Sequence, residues 1–110
     1  MDRLTAKVAL ERLHTLKDKT FVELFQHGSL SIEIYQPKAR DLQTPHTRDE
    51  VYVVVSGHGY FVNGNTRQPF ESGELLFVPA GVVHRFEEFS EDFSTWVIFY
   101  GPEGGESIPT

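Results

Sequence analysis

The chain has 110 residues, enough to build one hydrophobic core and too few for two. Hydrophobic residues make up 39% and charged residues 24%, ordinary globular proportions, and the absence of cysteine excludes disulfides, thiolate-bound zinc and cysteine nucleophiles together. A formal net charge of −6 with scattered Lys and Arg argues against nucleic acid or an anionic membrane as partner. No apolar run reaches spanning length and the N-terminus lacks a signal peptide's apolar core, so the cytoplasm is the expected address.

In residues 5–17 the apolar positions Val8, Ala9, Leu13 and Leu16 fall at helical spacing behind a capping Thr5. They predict a short helix packed outside the domain, within an N-terminal extension covering residues 1–20. FVELFQ and SLSIEIYQP read as two strands joined by a tight turn at Gly28, followed by a polar loop over 37–45. VYVVVS, a Gly57-His58-Gly59 turn and YFVN come next. Asn63-Gly64 then predicts a type I′ hairpin, because both residues tolerate positive φ. A strand near Arg67 to Phe70, the run LLFVP, the segment VVHRFEEF and the run STWVIFY complete the set. Residues 102–110 read as a flexible tail. Seven or eight short strands with turn signals between them indicate an all-β barrel or sandwich, and a single helix excludes a parallel α/β design.

Two stretches carry chemistry. TPHTRDEVYVVVSG holds His46 and Glu50; GELLFVPAGVVH holds His84 just past the Pro79-Ala80-Gly81 turn. In an extended strand, residues four apart sit about 13 Å from one another, too far to share an ion through bonds of about 2.1 Å. A shared metal therefore requires 47–49 to bend, with the regular strand starting near Glu50. His84, entering on a neighbouring strand about 5 Å away, can then join them. Two imidazoles and a carboxylate suit Fe(II) and also accept Mn, Zn, Ni or Co, while offering few oxygens for Ca or Mg. The bland alternative makes Glu50 an edge charge and Asp49 a solvated loop residue, like His14 on a helix face and His27 and His58 in turns.

These stretches resemble the two motifs of the cupins, small double-stranded β-helix (jelly-roll) proteins. The second motif is matched by Gly73, Pro79, Gly81 and His84, and the later half of the first by His46, Glu50 and Gly57. The resemblance implies one cupin domain over residues 1–110. The family's earlier histidine falls at Thr44, the opening glycine at Lys38 and the closing asparagine at Glu88. The implied three-His-one-Glu set is thus reduced to His46, Glu50 and His84, with Thr44 or Gln43 as weak contributors and a divalent transition metal (Fe, Mn, Ni or Zn) as the cofactor.

Residues of the same parity as Glu50 and His84 should line the barrel mouth: Tyr52, Phe86, and Trp96 or its neighbours. They would form a pocket for a small organic ligand, unless they simply fill the core. Three function classes follow: a metal-dependent enzyme (dioxygenase, isomerase or decarboxylase-like), a non-catalytic ligand-binding module, or a scaffold with a degenerate site. Beyond Glu50 itself, Glu33 and Tyr52 are the candidates for proton transfer. A homodimer is expected, since the early strands would otherwise leave an apolar edge unprotected.

Overall fold

In the computed structural model, which describes residues 3–42 and 44–108, one helix precedes eight strands. Helix α1 (Ala6–His14) begins where the Thr5 hydroxyl accepts from Val8 N at 3.2 Å, satisfying one of the amides a helix start leaves unpaired. It stops three residues short of Lys17, so Leu16 falls beyond its end. The strands are β1 (Phe21–His27), β2 (Leu30–Tyr35), β3 (Asp49–Ser56), β4 (His58–Asn63), β5 (Thr66–Glu71), β6 (Leu75–Val78), β7 (His84–Glu87) and β8 (Ser94–Tyr100). They form a five-stranded sheet in the order β1-β2-β8-β3-β6 and a three-stranded sheet in the order β5-β4-β7. Every pairing is antiparallel, and the two sheets face one another, the all-β arrangement that the strand pattern predicts and the jelly roll that the cupin resemblance implies.

Register decides which side chains point inward. Three rows cross the five-stranded sheet: Ser31–Phe99–Glu50–Val78, Glu33–Val97–Tyr52–Leu76 and Tyr35–Thr95–Val54. Because side chains alternate along a strand, these three rows share the inner face. There they meet an aromatic cluster in which Phe86 lies 4.6 Å from Phe93, 4.8 Å from Phe61, 4.9 Å from Tyr52 and 5.2 Å from Phe70, measured between ring centroids. The outer face of the same sheet is covered by α1, whose Ala9 and Leu13 bury Ile34 against Val55 and Trp96.

Local expectations needed correction in several places. Residues 57–59 form no turn: Gly57 alone separates β3 from β4 and carries the chain from one sheet to the other. Its φ is +91°, and a Cβ there would lie 2.6 Å from Phe93 Cα, so only glycine fits. The β4–β5 hairpin is shifted by one residue. Asn63 pairs with Thr66, leaving Gly64 and Asn65 as the loop, and only Gly64 has positive φ, the pattern of a type II′ turn rather than I′. The early strands do not form an edge together. β1 is the edge, whereas β2 lies between β1 and β8.

The segment after β8, read as flexible, is tied down through Glu106. Gly104 N donates to Thr47 O at 2.6 Å and Glu106 N to Asp49 Oδ2 at 2.8 Å. None of the described helices is long and apolar enough to cross a membrane.

Candidate metal centre

Residues 47 and 48 bend and β3 starts at Asp49, which brings His46 back over Glu50 as a shared ligand site demands. Neighbouring contacts fix the bend. Asp49 is buried rather than solvated: its carboxylate accepts from Ala80 N at 3.0 Å and from Glu106 N at 2.8 Å. Those two amides, Glu106 first, hold the carboxyl below the ordinary aspartate range. Asp49 therefore braces the Pro79–Gly81 turn against the start of β3 and is not a ligand. Gly81 N donates to His46 O at 2.6 Å, joining the two motif loops directly.

His84 opens β7 opposite Asn63. Its Nδ1 donates to the Val82 carbonyl at 2.9 Å, which leaves the Nε2 lone pair of the neutral ring facing Glu50. The separations are 3.1 Å from His84 Nε2 to Glu50 Oε1 and 3.8 Å from His46 Nε2 to the same oxygen. The three ligand atoms all lie within 4.8 Å of one another. Two ligands at right angles on an ion with bonds of about 2.1 Å stand about 3 Å apart, so Glu50 and His84 are at ligand spacing and the half-buried His46 must shift inward to complete one site.

Glu50 is fully buried, yet neither of its oxygens, nor His84 Nε2, has a hydrogen-bond partner. The 3.1 Å contact lies off the line a hydrogen bond needs. Buried polar atoms without hydrogen bonds are costly, and these three converge on one point, where either a cation or a proton between Glu50 and His84 satisfies them.

Burial lowers the His46 imidazole below its ordinary value, with Glu50 opposing that and the other imidazole reinforcing it. For His84, burial also pulls downward, but Glu50, the Val82 carbonyl and the charge of Asp41 outweigh it, and the net shift is upward. The proton on His84 therefore stabilises the metal-free fold at pH below the ordinary imidazole range, and that contribution is lost as pH rises through the raised value. A metal must displace this proton. Its apparent affinity is expected to fall about tenfold for each pH unit below the raised value, starting at higher pH than for a free imidazole near ~6.5. Calorimetric metal titrations across that range check the slope; a flat profile would remove His84 from the ligand set.

The proposed pocket side chains divide. Tyr52 and Phe86 lie on the inner face but are buried, 4.9 Å apart, and form the floor beneath His84. Trp96 points the other way, into the cluster under α1, because it is out of step with Val97 and Phe99. Phe99 takes the place assigned to Trp96, its ring 4.8 Å from that of His46. Thr44 is exposed near His46 on a cleft wall, and Gln43 lies outside the described residues.

Glu33 is half-buried on the inner face, and its carboxyl is raised to about 7 by burial, then by the charges of Glu23 and Glu50. Sequence reasoning missed Asp41. Its Oδ1 accepts from Tyr35 Oη at 2.6 Å and its Oδ2 from Phe86 N at 2.8 Å, linking β2 to β7 across the two sheets. Nothing in a polar loop distinguishes such a residue in advance. Glu88, standing where the asparagine was expected, has φ +48°, so that position makes a backbone demand that asparagine meets with less strain.

A family model described as a cupin domain matches residues 31–99. An uncharacterised protein of Streptomyces coelicolor is 35% identical over 96 residues, covering 86% of this chain and 91% of that protein. An acireductone dioxygenase of Drosophila pseudoobscura is 40% identical over 53 residues, covering 44% of this chain and 28% of that enzyme. Among solved structures, a protein of Neisseria meningitidis superposes with a TM-score of 0.67 at 19% identity, covering 91% of this chain and all of that one.

Proposed function

The chain belongs to the cupin domain family, and from that premise we propose that it holds one divalent transition metal on His46, Glu50 and His84 and binds a small organic molecule beside it. The observation that carries this reading is the convergence of three buried polar atoms without a hydrogen bond among the described residues, Glu50 Oε1, Glu50 Oε2 and His84 Nε2. Iron, manganese, nickel or zinc bound there would act as a Lewis acid or, for iron, supply redox chemistry. The chain's own residues do the rest. Val82 O fixes the His84 tautomer, and Tyr52 and Phe86 exclude water from below. The Glu33 carboxyl, titrating at about 7, holds or releases a proton near neutral pH.

Glu33 and the local likeness to a dioxygenase favour a metal-dependent enzyme. Thr44 in the place of a histidine favours the second reading, a non-catalytic ligand-binding module or a scaffold with a degenerate site. Elemental analysis of fresh protein, followed by titration with Fe(II), Mn, Ni and Zn, decides between them. Stoichiometric uptake of any of these supports the metal reading; refusal of all four removes the enzyme and leaves the ligand-binding module.

We also propose a homodimer. β1 ends the five-stranded sheet with no neighbour on its outer side among the described residues, and an open edge of this kind invites pairing. Sedimentation is expected to give twice the chain mass, and a monomer at high micromolar concentration would refute pairing.

A further inference from the structure

Immediately outside His46 lies a cleft of about 330 Å³, the low end of the range for small-molecule sites. Phe21 and Leu42 form apolar wall, 51% and 71% exposed, and Thr44 and Tyr35 add hydroxyl groups. Lys38 and Arg40 also line it. The chain carries 16 acidic residues against 10 Lys and Arg, yet among the described residues this cleft has two cations and no carboxylate in its lining.

The acid nearest in sequence, Asp41, is outside the lining but lies behind Tyr35, where its charge reaches His46. One of its oxygens accepts from Tyr35 Oη and the other from Phe86 N. Lys38 and Arg40 are exposed, and among the described residues neither makes an ion pair. A tight backbone bond, Arg40 N to Lys38 O at 2.6 Å, with Ala39 at φ +64°, brings both side chains to the same cleft. Two unpaired cations beside an apolar wall and an imidazole attract one kind of molecule: an oxyanion on an apolar body.

We propose that this cleft binds a small organic anion of on the order of ten non-hydrogen atoms, its carboxylate or phosphate held by Lys38 and Arg40, its apolar body against Phe21 and Leu42, and its far end at His46. The proposal deepens the metal-and-ligand reading above and rests on it only for the role of the far end. Wild type and the double variant Lys38→Gln/Arg40→Gln are titrated with benzoate, phenyl phosphate, benzyl alcohol and benzylamine by calorimetry and saturation-transfer NMR. Each titration is run on metal-free and metal-loaded protein, and metal uptake and melting temperature are measured separately for both proteins.

Benzoate or phenyl phosphate should bind at least about tenfold tighter than the alcohol, and the amine not at all; the tighter of the two anions identifies the oxyanion. The double variant should lose about tenfold or more in anion affinity with metal uptake and melting temperature unchanged. Equal affinity for benzoate and benzyl alcohol, an unchanged double variant, or no binding of any probe at millimolar concentration overturns the proposal. Anion binding without metal uptake would overturn the metal reading and leave this one standing; metal uptake without anion preference would do the reverse.

Discussion

Substituting His84 by Ala is expected to abolish the rise in melting temperature that a transition metal gives the wild-type protein. A ligand that binds only the folded state stabilises it by about 2.7 kcal/mol at a hundredfold excess over Kd. For a domain of this size that corresponds to roughly 10 °C. His84 supplies one of only three anchors, and it is the one buried beside Glu50 with its Nε2 directed at that carboxylate. Without it the remaining pair binds too weakly to shift the melt.

Two companions separate this from misfolding. Glu50→Gln should also lose the metal response yet, at pH above the raised His84 value, match or exceed the metal-free wild type, because a buried carboxylate without hydrogen bonds becomes an amide that can donate to the neutral His84 Nε2. His58→Ala, exposed at the start of β4, should retain the full response. Differential scanning fluorimetry with and without metal and chelator reads all three. A full metal response in the His84 variant would place the ion elsewhere and end the three-ligand reading.

Replacing Phe86 by Ala should cost more stability than any substitution at the metal centre. Phe86 is buried, with four ring neighbours within 5.2 Å, and such truncations cost about 3–5 kcal/mol. Against a total of about 5–15 kcal/mol this takes a large share of the fold's margin. With a urea slope of about 1–3 kcal/mol per molar, the midpoint should fall by about 2 M. The loss should also reach the site. β7 is a four-residue edge strand that carries His84, paired with β4 on one side and tied to Asp41 through Phe86 N on the other. Removing the ring that seats this strand should loosen His84 and weaken metal uptake in parallel. A midpoint within about 0.5 M of wild type would mean that the aromatic cluster closes over the gap.

Much of the fold was legible because short strands and turn residues report themselves locally. The three residues that converge, His46, Glu50 and His84, were legible because each sits beside a feature with its own signature: the bend before the valine run, or the Pro79–Gly81 turn. What failed was facing. STWVIFY is apolar on both faces, since the core covers one and α1 the other, so the alternation that marks an inner side chain is erased and Trp96 cannot be told from Phe99. The crossing at Gly57 looked like a turn because glycine marks both a reversal and a close backbone approach. Asp41 left no trace, its partners lying 6 and 45 residues away.

The order of the larger sheet bears on how the chain is made. β8 is the last strand in sequence, yet it lies between β2 and β3. Before it emerges from the ribosome, the β1–β2 ribbon and the β3–β6 pair share no backbone hydrogen bonds, and the inner face that holds Glu50 stands open. The sheet is keyed by its final strand, so the nascent chain cannot close its barrel piecemeal and must wait in an unjoined state until residue 100 is free. Long-range closure of this kind is slow and leaves apolar surface uncovered meanwhile, which makes the interval before β8 joins the sheet the time when this domain is most prone to aggregate.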